Sequence, residues 1–360
     1  MFAPPPALPL VQGVSLAPLT TLRLGGPADV FLRATTDAAL ARGLDWARNA
    51  GLPVLVFGGG SNLVIGDEGF GGLALQVATR GIASRTTAEG IEVSAAAGEP
   101  WDAFVDFVTT EGWAGLECLA GIPGLVGATP VQNVGAYGQE VAETLLRVRV
   151  LDRETLAVRW LDARALDFAY RDSLLRREPT RFVVLEVVFG LRPGGLPSLR
   201  YAELARALAD EPLPSLARVR QTVVALRRKK SMVLDAKDPN TQSAGSFFVN
   251  PVVDAATADA VRQKAVAVGL VPAPDQVPSW PLEGGRVKLA AGWLIERAGF
   301  ARGERWGAVG LSSAHALALV HHGGGTTRAL VALARRIQQG VEERFGVRLE
   351  PEPIFINVGF

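Results

Sequence analysis

Between Gly121 and Gly138 the chain reads GIPGLVGATPVQNVGAYG, with five glycines, two prolines and no charged residue. The uncharged run extends from Cys118 to Gln139. A run that long and apolar is a candidate membrane span. Pro123, Pro130 and the scattered glycines interrupt a helix at several points, which removes that reading. What remains is a long loop. Its glycines let another group approach the main chain, and its N–H groups can be donated in a row. The turn Gly58-Gly59-Gly60-Ser61-Asn62 has the same character. Neither stretch has a lysine or arginine between its glycines, so the pair predicts a phosphate-bearing group held mainly by backbone donors.

A chain of 360 residues exceeds one ordinary core, so two or three domains are expected. Hydrophobic content of 48% with 20% charged residues is that of a folded soluble protein. The 37 basic and 36 acidic residues leave a net charge of +1, no footprint for nucleic acid or an anionic membrane. The single cysteine, Cys118, excludes an internal disulfide and any multi-cysteine metal site. Beside Leu116 and Leu119 it reads as a packed apolar residue. The apolar N-terminus is broken by Pro4, Pro5 and Pro6 and has no basic segment before it, so residues 1–18 read as a loose leader and not as a signal peptide. A cytoplasmic location follows as an expectation.

Residues Thr20 to Leu32 predict a short strand, a Gly25-Gly26-Pro27 turn and a second strand. Asp37 is placed to cap a helix running to about Asn49 and closed by Gly51. LPVLVFGGGSNLVIGD reads strand, glycine turn, strand. A dinucleotide fingerprint needs a third glycine where Leu63 stands and a helix after it, and a P-loop needs Gly-Lys-Ser/Thr, so both common nucleotide motifs fail here. Strands are expected near 73–78 and 91–97 and a helix from Pro100 to about 110. A hairpin over 146–162, a buried strand over 182–191, and helices from Tyr201 and over 215–229 follow. The last part predicts strands near 245–249, 316–321 and 348–356, with helices near 256–268, 289–298 and 326–344. The whole is an α+β pattern.

Several residues carry chemistry. Tyrosine is scarce: Tyr137, Tyr170 and Tyr201 are all there are. Each alone is most simply a core-edge residue. Lys229 and Lys230 end a helix, where cations suit the dipole. Arg171 and Asp172 make an ordinary surface ion pair on the simplest reading. In Ser243-Ala244-Gly245-Ser246-Phe247-Phe248 a small hydroxyl stands between a glycine and two aromatics. That is either a tight turn or a hydroxyl held dry enough to give a proton. Glu350 and Glu352 flank Pro351, and residues two apart in extended chain share a face. Either one, turned inward, would gain a raised pKa and the ability to act as an acid. His315, His321 and His322 show no metal-ligand spacing.

Taken together and in order, these segments resemble UDP-N-acetylenolpyruvoylglucosamine reductase, the MurB family. The resemblance runs over nearly the whole chain: TTLRLGGPADVFL, GGGSNLVIGDEGF, GIPGLVGATPVQNVGAYGQEV, FAYRDS, RYAEL, SAGSFFVNP, VKLAAGWLIERAGF, HALALV and LEPE. RYAEL resembles the branch with a substrate-binding tyrosine on an extra loop. The resemblance implies an α+β protein of three domains. Two of them, residues 19–78 joined by 346–360 and residues 79–230, would form a PCMH-type, vanillyl-alcohol-oxidase-like FAD-binding unit. The third, residues 231–345, would bind substrate.

It further implies non-covalent FAD, NADPH as hydride donor, and UDP-N-acetyl-3-O-(1-carboxyvinyl)-glucosamine as the small-molecule partner of a monomer. Ser246, Arg171 and Glu352 match the catalytic positions, with Ser246 as proton donor. Gly58, Gly59, Gly60, Ser61 and Asn62 match the FAD diphosphate turn. Ile122, Pro123, Gly124, Gly127, Ala128, Thr129, Gln132, Asn133, Gly135, Ala136 and Tyr137 match a second FAD wall. Tyr170, Tyr201, Lys230, Asn250 and His315 match substrate positions. The family commonly follows its last glutamate with Val-Arg, whereas Glu352 is followed by Pro353 and Ile354. Two other readings compete: an oxidase of the same FAD-binding class, whose members often tether the flavin through histidine or cysteine, and a non-catalytic sugar-nucleotide binder that would carry no flavin. All three histidines lie in the last domain, which argues against a tether in the first two.

Overall fold

The computed structural model describes residues 8–360, which fall into two compact units. The first gathers the described residues up to Val14 with Ala28–Gly60 and Phe70–Val233. The second gathers Ser15–Pro27, Ser61–Gly69 and Leu234–Phe360. This differs from the three segments expected from sequence. The short pieces 15–27 and 61–69 go with the last third of the chain, because Leu22, Leu24 and Val64 are buried in its core. Among the described residues no helix is long and apolar enough to cross a membrane.

The first unit has two sheets. In one, strands Pro27–Ala34 and Val54–Phe57 both run parallel to Phe70–Val77, which lies between them. Helix Asp37–Asn49 connects the outer two, as a parallel crossover requires. Val30, Leu32 and Ala34 alternate into the core. Gly43 lets the helix settle on the sheet: a Cβ there would lie 2.6 Å from Leu32 Cδ2. The helix is capped by Thr36, whose hydroxyl accepts from Ala39 N at 3.1 Å, one residue before the expected Asp37. Val11–Ser15, within the stretch read as a loose leader, is a strand at the edge of this sheet; residues 1–7 of that stretch lie outside the described residues.

The other sheet is antiparallel, in the order Val158–Asp162, Leu145–Asp152, Phe182–Pro193, Gly90–Ala96, Ile82–Thr87. The expected hairpin and buried strand are its first three members. Ile82–Thr87 was not expected: almost every residue in it is exposed, so no alternation marks it. Helices Trp101–Thr110 and Leu216–Lys229 supply much of the remaining core, where Trp101, Phe104 and Phe189 meet at centroid distances of 5.3–5.9 Å. Tyr201 caps the short helix Ala202–Ala207.

The second unit holds two three-stranded antiparallel sheets and the helices Ala255–Ala267, Ala291–Arg297 and Thr327–Phe345. Leu63–Ile65 pairs in parallel with Ile354–Ile356. Four expectations are corrected here. Residues 20–26 form no strand: Thr20 Oγ1 bonds Leu24 O at 3.0 Å and Arg23 takes φ 56°, so local bonds replace extension. Residues 245–249 form no continuous strand, because Gly245 at φ 74° interrupts the ladder and leaves single bridges at Ser243 and Phe248. The strand expected over 348–356 is confined to Ile354–Ile356, and that over 316–321 to Leu319–His321.

Candidate active site

In the first unit the two glycine stretches come together. A Cβ on Gly58 would lie 2.9 Å from Leu125 Cδ1, and one on Gly59 3.4 Å from Gly124 Cα. Gly60 takes φ 61°. The loop is fixed from below: Trp101 N donates to Gly124 O at 3.1 Å, Val126 N to Glu99 O at 2.9 Å and Gly127 N to Ala97 O at 2.9 Å. Thr129 Oγ1 donates to Val126 O at 2.8 Å. No backbone carbonyl among the described residues takes up the N–H groups of Gly59, Gly60, Gly124 and Leu125. Side-chain-free backbone with such donors fits a diphosphate-bearing cofactor, since anions are held well by such N–H groups. Ile122 to Leu125 are half-buried, Gln132 and Asn133 are buried, and Ala128 is exposed.

The rest of the wall is a strained hairpin. Ala136 pairs with Gln139 around Tyr137-Gly138, whose φ angles are 48° and 80°. Two central residues with positive φ make a type I′ turn, in which tyrosine is unusual. Asn133 (φ 44°) and Arg171 (φ 55°) share the left-handed conformation. Each such residue costs about 1 kcal/mol or more, and strain of this kind gathers at functional sites. Asn133 Oδ1 accepts from Ala142 N at 3.0 Å and its Nδ2 donates to Glu140 Oε2 at 2.8 Å, which holds the loop's shape.

Arg171 sits at the tip of a two-residue turn closed by Ala169 and Asp172. Its Nη2 donates to Gly135 O at 2.9 Å, and its guanidinium lies 5.4 Å from the Tyr170 ring centroid. Asp172 pairs with Arg177 and, at 3.8 Å, with Arg176. Arg171 is thus fixed to the hairpin loop through the carbonyls of Gly135 and, at 3.4 Å, Asn133. Tyr170 itself is 43% exposed, so it is not a core residue.

Tyr137, Tyr201 and Lys230 converge. The two rings meet edge to face at 5.2 Å. Lys230 Nζ stands 5.7 Å from the Tyr137 centroid and 2.6 Å from Glu203 Oε2. Lys229 is exposed. Burial pushes the Tyr137 phenol up to about 12, so it stays protonated at any working pH. Arg227, read in sequence only as part of a basic helix end, is buried beneath the loop's first residue. A Cβ on Gly121 would lie 3.4 Å from its Nε. Burial lowers its pKa to about 10, still charged at neutral pH.

In the second unit the Ser246 segment is held from two sides. Phe247 N donates to Leu317 O at 2.7 Å, and Phe247 O accepts from Glu352 N at 2.9 Å. Val249 N donates to Glu350 O at 3.0 Å. Phe247 and Phe248 are fully buried against Phe355 and Phe360, which anchors the half-buried serine. Glu352 is half-buried while Glu350 is exposed. Asn62 Nδ2 donates to Glu352 O at 3.3 Å, and Ile354 N donates to Asn62 O at 2.9 Å. The end of the first glycine turn, the serine segment and Glu352 are therefore neighbours within this unit. Thr21 ties them further: its hydroxyl donates to Ser243 O at 2.6 Å and lies 3.4 Å from Ser61 O. Sequence reasoning missed Thr21, which carries no signal beyond its place in TTLRLGG.

His315 Nδ1 accepts from Leu317 N at 3.1 Å, which puts the proton of the neutral ring on Nε2 as a donor. Asn250 Oδ1 accepts from Ala291 N at 2.9 Å, capping a helix and leaving its NH₂ group to donate. His321 is structural: Nδ1 bonds Leu22 O at 3.1 Å and Nε2 accepts from Gly325 N at 3.0 Å. Cys118 is buried, and burial raises its thiol pKa far above the working range. Among the described residues no group of three or more His, Cys, Asp or Glu is placed to hold a metal ion.

Comparison with known proteins agrees with this geometry. Residues 28–159 match a family profile described as FAD binding domain. Residues 237–356 match the profile of the C-terminal domain of UDP-N-acetylenolpyruvoylglucosamine reductase. The chain is 50% identical over 352 residues to the protein of that name from Saccharopolyspora erythraea, covering 96% of this chain and 95% of that one. It is 51% identical over 357 residues to that of Nocardia farcinica, covering 96% and 90%. The crystal structure of UDP-N-acetylenolpyruvylglucosamine reductase (MurB) from Thermus caldophilus superposes with a TM-score of 0.64 at 25% identity, covering 97% of this chain and 98% of that one. Fold and site together define a flavin-dependent oxidoreductase of the FAD-binding α+β class. Within that class, the chain belongs to the UDP-N-acetylenolpyruvoylglucosamine reductase family.

Proposed function

We propose that this protein reduces the enolpyruvyl ether of UDP-N-acetylglucosamine to UDP-N-acetylmuramate, a step in peptidoglycan precursor synthesis, with FAD as cofactor and NADPH as hydride donor. It acts as a cytoplasmic monomer. The observation that carries the reading is the junction in the second unit, where the Ser246 segment, Glu352 and the Asn62 end of the glycine turn are hydrogen-bonded together. Gly58 to Asn62 and Ile122 to Tyr137 would hold the cofactor, their main-chain N–H groups suited to its diphosphate. Non-covalently bound FAD would supply the hydride that reduces C3 of the enolpyruvyl group.

Hydride addition at C3 leaves negative charge on C2 and the adjoining carboxylate of the substrate. Arg171 neutralises that charge through its planar fork, and Glu352, protonated, donates a hydrogen bond to it. Ser246 then gives its proton to C2, completing the lactyl ether. A serine is a poor acid in water, but the carbanion is a strong base, so the transfer runs downhill. The alkoxide left behind needs a compensating positive charge. Tyr170, Tyr201, Lys230, Asn250 and His315 position the sugar nucleotide. The deciding experiment is anaerobic: NADPH bleaches the bound flavin, and addition of the enolpyruvyl sugar nucleotide restores its yellow absorbance. A flavin that stays bleached excludes this substrate.

A further inference from the structure

The helix carrying Tyr201 is lightly held. Ala202–Ala207 buries only Leu204, and prolines and glycines crowd the chain on both sides of it, from Pro193 to Pro214. Tyr201 reaches Tyr137, and Glu203, one turn-face away, ion-pairs Lys230 at 2.6 Å with both side chains about one-third exposed. Lys230 is therefore neutralised by the very segment that presents a ligand-binding tyrosine. An ammonium already bonded to a carboxylate cannot bind an anionic ligand at full strength.

We propose that Glu203 is an internal counter-ion of Lys230 that an anionic oxygen of the sugar nucleotide, from its diphosphate or its carboxylate, displaces on binding. This rests on the reading of Lys230 as a substrate residue. Displacement frees the short helix at the moment ligand arrives, so that Tyr201 is repositioned only when the lysine is occupied. Glu203 is a positioning residue: it acts through Lys230.

The test is a double-mutant cycle on steady-state kinetics. Glu203→Gln removes the competitor with little change of shape, and KM for the enolpyruvyl sugar nucleotide should fall by about two- to five-fold, the range of a partly exposed ion pair. Lys230→Ala should raise KM by about ten-fold. In the double variant the KM should equal that of Lys230→Ala alone, because the competitor has nothing left to occupy. A Glu203→Gln effect that persists undiminished without Lys230 means plain charge repulsion and overturns the proposal. So does an unchanged or raised KM in Glu203→Gln while Lys230→Ala still weakens binding; there the reading of Lys230 survives and only the displacement fails. An unchanged KM in Lys230→Ala sinks both. UDP as a competitive inhibitor carries the diphosphate without the carboxylate. A parallel fall in its Ki in Glu203→Gln assigns the displacing oxygen to the diphosphate, and an unchanged Ki assigns it to the carboxylate.

Discussion

Ser246 is useful only because of what surrounds it. Gly245 at φ 74° turns the chain sharply before it, and Phe247 and Phe248 pin the chain after it. Ser246→Ala should leave flavin reduction by NADPH near its normal rate and slow reoxidation by the enolpyruvyl substrate by at least about 10²-fold, the usual range for a lost general acid. Stopped-flow traces of the two half-reactions separate these; equal losses in both would give the serine another role. Glu352→Gln should follow the same pattern, and Glu350→Gln, on an exposed side chain, should be mild. The glycines are residue-scale devices too. A Cβ on Gly127 would lie 2.9 Å from Ala97 Cα, so Gly127→Ala should cost about 1–3 kcal/mol and lower flavin content, read by melting temperature and the 450 nm region absorbance. Ser246, Glu352 and Gly127 were singled out in the sequence by the family resemblance, residue type and spacing alone leaving them open. Arg227 and Thr21 were not, because a buried guanidinium and a hydroxyl crosslink look like a helix end and a turn until packing is known.

At the scale of elements, the antiparallel sheet of the first unit is laced by charge. Glu92 on the Gly90–Ala96 strand accepts from Arg147 at 2.8 Å and from Arg85 at 2.6 Å. The hydrogen bond from Arg147, then that from Arg85, holds its carboxyl down at about 2. A depressed folded-state pKa stabilises the protein above the ordinary glutamate range and stops doing so as pH falls through about 2. Glu92→Gln should therefore lower stability by about 1 kcal/mol or less at pH 7, since Arg85 is largely exposed. The gap from the unaltered protein should close between pH 4.5 and about 2. Thermal melts across that range check the sign; a gap that widens on acidification contradicts it. Long alternating strands and capped helices were readable in advance. Ile82–Thr87 was not, because an exposed edge strand has no inward face to pattern.

For the whole molecule, the chain is woven through both units. Among the described residues, strand Ile354–Ile356 pairs only with Leu63–Ile65. Helix Thr327–Phe345 is held at its N-terminus by Asp67, whose carboxylate accepts from Thr327 N at 2.6 Å and Arg328 N at 3.0 Å. A fragment of residues 234–360 lacks Leu22, Leu24, Val64 and Asp67, so it should not fold cooperatively alone. Loss of a sigmoidal melt and rapid proteolysis are the expected readouts; a stable fragment would show that the early pieces are dispensable. Adding peptides that span 15–27 and 61–69 should restore protection. The sequence by itself determined which local conformations were open: where glycine must stand, which runs alternate, which loop can offer bare N–H groups, and which family those segments resemble. Only the tertiary structure decided that residues near 21, 62, 246 and 352 share one hydrogen-bonded junction, and that Glu203 occupies Lys230. Local preferences act within a few residues, whereas hydrogen bonds and core burial between segments hundreds of positions apart are set only when the whole chain closes on itself.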